Sequence, residues 1–193
     1  MKAAIRTTVL LLTIPVLAGI AAAVWVISSG LSARAYPGNF EHNLAGSVRR
    51  AAIPRAARDM KNPFTATPEI LVEGRRHFAD HCASCHGNDG GGNTEIGQHL
   101  YPPAPDMSLP ETQKLTDGEL YYIIENGVRF TGMPAWGAGG TNDPETWHLV
   151  LFIRHLPKMS QQDMLDMKDY NPRSPMEMKE EEDENQFLNA QPK

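Results

Sequence analysis

Only two cysteines occur among 193 residues, three positions apart, and no second pair accompanies them. A structural zinc site usually draws four ligands from two such pairs, and this chain does not supply them. Alternation of polar and apolar residues is missing at any useful length, so the pattern of half-buried strands is absent. Lysine is nearly absent from the middle of the chain, where Lys114 and Lys158 are the only two between residues 67 and 159. That stretch holds six Lys/Arg against twelve Asp/Glu, a net −6. Nucleic-acid binding needs a cationic working surface, so that class is excluded. No internal repeat is present.

Charge is also missing from VLLLTIPVLAGIAAAVWVI, the nineteen residues Val9 to Ile27. At ~1.5 Å per helical residue, such a run just crosses a hydrocarbon core of ~30 Å. Residues 9–27 are therefore expected to sit in the cytoplasmic membrane as a single pass. Lys2 and Arg6 precede the run, which places the N-terminus inside and the rest of the chain outside, in the periplasm or on the outer face. Trp25 suits an interfacial anchor, while Pro15 and Gly19 are tolerated in membrane spans. A cleaved signal peptide is the competing reading, because Ala33-Arg34-Ala35 resembles a cleavage site. The run is longer than a typical signal core and the site lies beyond its end, which favours a retained anchor. Both readings export the remainder of the chain.

Four regions result: an anchor or signal over 1–29, a basic Pro-containing linker over 30–66, a globular domain over 67–159, and an acidic tail over 160–193. Residues 1–66 carry eight Lys/Arg against two Asp/Glu, and the tail carries four against nine. The linker segment HNLAGSVRRAAIPRAARDM (42–60) reads as one or two short helices interrupted at Pro54. Its plain reading is a spacer; another is a basic surface for anionic headgroups or for the acidic domain. The tail, with EEEDE at 180–184 and little apolar content, is expected to be disordered.

The domain reads as helical. Thr67-Pro68-Glu69 is a helix start with a capping hydroxyl, proline in the first turn and an acid. Thr116 and Glu119 have capping-box spacing, and Asn126-Gly127 supplies the stop. A third start, Asp143-Pro144-Glu145, opens TWHLVLFIRHL, with Pro157 as its brake. Between the first two helices lies GNDGGGNTEIGQHLYPPAPDMSLPETQK, long for a loop in a compact domain. Something besides backbone pairing is expected to organise it, and a large buried cofactor would do so.

That expectation meets HCASCHG, residues 81–87. A thioredoxin-like C-x-x-C motif sits in an α/β pattern, which is absent here. The five residues C-x-x-C-H match covalent attachment of c-type haem. Thiols three positions apart on a helix end, Cys82 and Cys85, can each reach one vinyl group of the same porphyrin. His86 is then placed beneath the iron. Histidine with methionine is the usual pair for electron transfer. Met133, in FTGMPAWG, lies in a loop of the kind that can hold a thioether against the other haem face. Met107 is its rival among the methionines and His99 among the histidines. His77, His81, His148 and His155 read as surface or boundary residues.

Residues 67–159 resemble a class I c-type cytochrome domain. The resemblance rests on Gly74 and Phe78, on Cys82-Ala-Ser-Cys85-His86, on the TGMPAW loop with Met133, and on the last helix with Trp147, Leu149 and Phe152. It covers about half the chain. It implies an all-α fold of three to five helices wrapped around one covalently bound haem, here preceded by one transmembrane helix. It further implies a close crossing of first and last helices at Gly74, with Phe78 and Phe152 packed there. His86 would give its free ring N–H to a backbone carbonyl near Pro102, Pro103 or Pro105. Arg129 and Trp136 could screen the propionates. The lysine-rich face of many mobile cytochromes is lacking, so partners with basic or apolar surfaces are expected.

The expected function is one-electron transfer by a membrane-anchored protein with one haem c, held by two thioethers, and His86/Met133 ligation. Its partners are a redox donor and acceptor, and the isolated chain is not expected to be an enzyme. One alternative is an electron-entry subunit of a larger respiratory oxidase, reductase or dehydrogenase. Another is a gas-binding haem with an open sixth position.

Overall fold

Hydroxyl, proline and acid residues set the helix starts. The computed structural model describes residues 2–30, 32–140 and 142–189, and no strand occurs among them. The fold is all-α, in keeping with the missing alternation. The chain divides into a unit of residues 1–35 and a unit from residue 36 onward.

The first unit is one helix, α1 (Lys2–Ser29). Its segment Val9–Ser28 has mean hydropathy 2.5, with none of it buried in protein, and is long and apolar enough to span a bilayer.

The second unit opens with α2 (Asn39–Ala52). Its centre is formed by α3 (Pro68–His77), α4 (Asp117–Asn126) and α5 (Pro144–His155). Thr67 Oγ1 accepts from the Ile70 N–H at the start of α3. Thr116 and Glu119 form the full capping box of α4, and Gly127 at φ 64° ends that helix. Asp143 caps α5, which tightens into a 3-10 turn over Leu156–Lys158. α3 crosses α5 at Gly74, where a Cβ would lie 2.4 Å from the His148 carbonyl oxygen. Only glycine lets the two backbones approach so far. Just beyond, the Phe78 and Phe152 rings sit 5.2 Å apart, and both are essentially solvent-free. Each such buried side chain contributes about 1.5–3 kcal/mol. Tyr121 of α4 stacks on Trp147 of α5 at 4.2 Å, closing the three-helix core. Arg154 ties α5 to the start of α4 through Asp117 Oδ1 (2.9 Å) and the Gln113 carbonyl (2.7 Å).

Two regions depart from the expected layout. The segment treated as a spacer packs on the domain from Ile53 onward. Ile53 and Ala57 are buried, and Asn62 Nδ2 donates to the Trp147 carbonyl (2.9 Å). The Phe64 ring meets His148 edge-on. Gly118 of α4 makes room, since a Cβ there would strike the Ala57 carbonyl.

The tail expected to be disordered is helical in α6 (Gln161–Met167) and α7 (Pro175–Asn189). α6 starts on a Ser160/Asp163 capping box, buries Met167 completely, and pairs Asp163 with Arg75 of α3 at 2.7 Å. Asn171 then donates to the Ala79 carbonyl (2.9 Å). Acidic composition suggested solvation. One buried methionine, the ion pairs of Arg75 with Asp163 and Asp166, and an asparagine bridge instead hold residues 161–171 to the core. α7 starts with the Glu177 N–H donating to Ser174 Oγ (3.2 Å), and its described side chains are exposed.

Candidate haem site

α3 does not stop at His77. It passes through a π turn over Phe78–Cys82 and one α-helical turn over Ala83–His86, and ends at Gly87 with φ 72°. Single π turns inside helices often mark functional sites. Here the turn carries the first cysteine, and the next turn carries the second together with His86.

The long Gly/Pro loop is organised by hydrogen bonds to that turn. The Gly92 N–H donates to the His86 carbonyl (2.8 Å). Thr94 Oγ1 donates toward the carbonyls of Ser84 (2.9 Å) and Cys85 (3.0 Å), and accepts from the Gly97 N–H (2.9 Å). Gly97 lies so close that a Cβ would fall 2.1 Å from the Cys85 carbonyl oxygen. Ala104 N–H donates to Gly97 O, and Met107 N–H donates to Gly90 O. The expectation that something other than backbone pairing must organise this loop is corrected: backbone and hydroxyl groups clamp it around residues 84–86. Sequence reasoning misses Thr94 and Gly97, although T-E-I-G has the look of a capped turn.

His86 is partly buried, and its Nδ1 makes no hydrogen bond at ordinary geometry. Burial pulls the imidazole pKa down, and the Pro105 carbonyl beside the ring pushes it up to a lesser degree. Of the three candidate prolines, Pro105 is the one whose carbonyl acts on the ring. Both cysteines are free and partly buried. Burial, reinforced by Cys85, pushes the Cys82 thiol up to about 12. Dithiol redox sites depress the attacking thiol's pKa, so this site has the opposite electrostatics.

Met133 lies on a tight loop leaving α4. Val128 N–H donates to the Met133 carbonyl (3.0 Å), and Met133 N–H donates to Thr131 Oγ1 (3.2 Å). The loop returns to α4 through Trp136 N–H to Ile124 O (3.1 Å) and Gly137 N–H to Glu125 O (3.2 Å). The Trp136 ring stands edge-on against His81 at 5.3 Å, one residue before Cys82. The methionine loop and the cysteine turn are thereby brought alongside each other. The rivals sit elsewhere: Met107 is in the hydrophobic core, and exposed His99 has Nδ1 2.6 Å from the Glu95 carbonyl. Arg129 is exposed, as is Trp136. His77 lies 3.5 Å from Glu145 and His148 lies 3.0 Å from Glu73.

Beneath the methionine loop sits a group the sequence did not announce. Glu125 is buried, its Oε1 accepting from Thr146 Oγ1 (2.7 Å) while Oε2 has no partner. Gly137 makes space for that carboxylate, because a Cβ would lie 1.9 Å from Oε2.

The donor set fits haem c. It comprises two free thiols and an imidazole on one helical turn, and a thioether loop held next to them. Among the described residues no cluster of three or more His, Cys, Asp or Glu could hold a metal ion by itself.

Comparison with known proteins agrees. A family model for cytochrome c oxidase, cbb3-type, subunit III matches residues 70–153. The cbb3-type cytochrome c oxidase subunit FixP of Rhizobium meliloti (strain 1021) is 53% identical over 90 residues, 46% of this chain and 28% of the relative. FixP of Sinorhizobium medicae (strain WSM419) is 34% identical over 90 residues, covering the same shares. Thiosulfate dehydrogenase of Stutzerimonas stutzeri (strain A1501) is 27% identical over 101 residues, 47% of this chain and 31% of the relative. The chain thus spans about a third or less of these relatives' length. All-helical architecture, the C-x-x-C-H turn and the matched family model agree: residues 70–153 resemble a c-type cytochrome domain, and an apolar helix long enough to span a bilayer precedes it in the chain.

Proposed function

We propose that this chain is a one-electron carrier bearing a single haem c on the outer side of the cytoplasmic membrane. Cys82 and Cys85 would hold the porphyrin through thioethers, and His86 and Met133 would ligate its iron. The observation that carries the reading is the clamped turn. Gly92, Thr94 and Gly97 fix the carbonyls of residues 84–86, and the Pro105 carbonyl acts on the His86 ring. A backbone so held sets where the His86 imidazole leaves the chain, which suits a ligand whose iron must change charge without moving. The haem supplies reversible one-electron chemistry at iron, and a His/Met pair raises its potential. The protein's own contribution is to orient the imidazole and to hold the thioether loop beside the cysteine turn. No bound substrate is needed, so the chain acts as a carrier and not as an enzyme by itself.

Similarity to cbb3-type oxidase subunits favours a second reading, in which the chain delivers electrons within a larger respiratory complex. Two experiments test these readings. A pyridine haemochrome assay with intact-mass measurement should give one haem per chain, with loss of covalent haem in the Cys82→Ala/Cys85→Ala double variant. Retention of covalent haem in that variant contradicts the assignment. Mild solubilisation from the native membrane separates carrier from subunit: stoichiometric co-purification of an oxidase supports the second reading, and a lone chain supports the first.

A further inference from the structure

The amphipathic helix α2 has no part in the haem site. Phe40, Leu44 and Val48 stand four residues apart on it, so they share one face, and they are 81%, 52% and 59% exposed. Ala51 falls on the same face. Polar side chains beside and behind that face reach the domain. Glu41 Oε1 accepts from the Tyr101 hydroxyl (2.6 Å), and His42 lies 3.9 Å from Glu111. Arg49 and Arg50 occupy the last turn, and Arg55 comes three residues after its end. All three are exposed, and no ion pair involves them among the described residues. The helix therefore leaves its apolar side chains uncovered, with Arg50 and Arg55 unpaired near its end.

Chain connectivity sets what lies within reach. Only residues 30–38 separate α2 from Ser29 at the end of α1. At about 3.3–3.6 Å per residue they extend no further than roughly 35 Å. A helix tethered that closely to a membrane span cannot stray far from the headgroup layer. Three large apolar residues on one face, with arginines at the helix end, match helices that lie in the interface and pair with anionic lipid.

We propose that α2 lies in the plane of the membrane surface, with Phe40, Leu44 and Val48 among the lipids and Arg50 and Arg55 on lipid phosphates. The helix would hold the cytochrome domain at a fixed height above the bilayer. A bare spacer would let it swing. The inference rests on α1 spanning the membrane and not on ligation by His86 and Met133.

The test uses the full-length, haem-loaded, reduced protein in vesicles of phosphatidylcholine with phosphatidylglycerol. Nitroxide labels are placed singly at Leu44→Cys, His42→Cys and Leu17→Cys. The expected result is that the Leu44 label collides several-fold more with oxygen than with a water-soluble nickel chelate, and that the His42 label shows the reverse. Arg50→Gln with Arg55→Gln, or omission of phosphatidylglycerol, should shrink the Leu44 preference. Equal access of nickel to both α2 labels overturns the proposal. Shielding of Leu44 from both reagents, as a protein contact would give, overturns it too. The Leu17 label reports the span separately, so a failed anchor is distinguished from a failed surface helix. The unsubstituted protein should take up no label if both native thiols are in thioethers, which isolates that reading as well.

Discussion

Thr94 carries more of the haem-motif geometry than its place in a loop suggests. Its hydroxyl caps the turn at Gly97 and reaches the carbonyls of Ser84 and Cys85. Thr94→Val keeps the shape and removes the hydroxyl, so it should cost about 0.5–2 kcal/mol in thermal or urea unfolding, the range of a lost cap. An unchanged midpoint would mean the clamp is incidental. His77 offers a pH prediction. Burial, then the neighbouring His81, lowers its pKa, against the upward pull of Glu145, Asp143 and Asp80. The unfolded chain takes up this proton near pH ~6.5 and the native chain only below that. Its contribution to stability is therefore full at neutral pH and is lost as pH falls through the native value. The urea midpoint should drop between neutral and mildly acid pH, and less so in His77→Gln; an equal drop in both would contradict this. At this scale the sequence named Cys82, Cys85 and His86 because their spacing is itself the chemical requirement. It could not choose Pro105 among three prolines, since a carbonyl's direction depends on the path of the whole loop. Glu125 was invisible for a similar reason: a glutamate in a helix reads as solvated until its neighbours are known.

Helix starts were legible where a single residue type does a single job. Thr67, Thr116 and Asp143 all cap as their side chains and spacing indicate. The crossing of α3 and α5 was legible from Gly74, and it yields a sharp prediction. A methyl group at Gly74 meets the His148 backbone carbonyl at 2.4 Å and Phe152 Cβ at 3.0 Å. Neither can move without shifting α5, so Gly74→Ala should destabilise by about 1–3 kcal/mol or more. Differential scanning calorimetry of the haem-loaded variant measures it, and a change within error would show that the helices part easily. The docking of α6 and of residues 53–64 was not legible. Both segments mix polar with scattered apolar residues and attach through a few specific contacts, buried Ile53, Ala57 and Met167, Arg75 to Asp163 and Asn62 to the Trp147 carbonyl among them. Periodicity detects broad apolar faces and misses attachments of this kind.

Across the whole molecule, charge is sorted by region. The stretch 67–159 is net −6 and the residues from 160 onward net −5, while residues 1–66 are net +6. An acidic electron-transfer domain should attract basic redox partners. Its second-order rate with a cationic redox protein should fall as ionic strength rises, because exposed charges are screened within a Debye length of about 10 Å at 0.1 M salt. A flat salt dependence in stopped-flow measurements would show that apolar contact governs docking instead. The central claim, His86/Met133 ligation in a carrier closed to other ligands, is reached most directly by the absorption spectrum of the purified protein, oxidised and reduced, with and without carbon monoxide. The account predicts a ferric sulfur-to-iron charge-transfer band that disappears in Met133→Ala, and no carbon monoxide binding to the reduced native protein. Absence of that band together with ready carbon monoxide binding would contradict it and point to a gas-binding haem with an open sixth position.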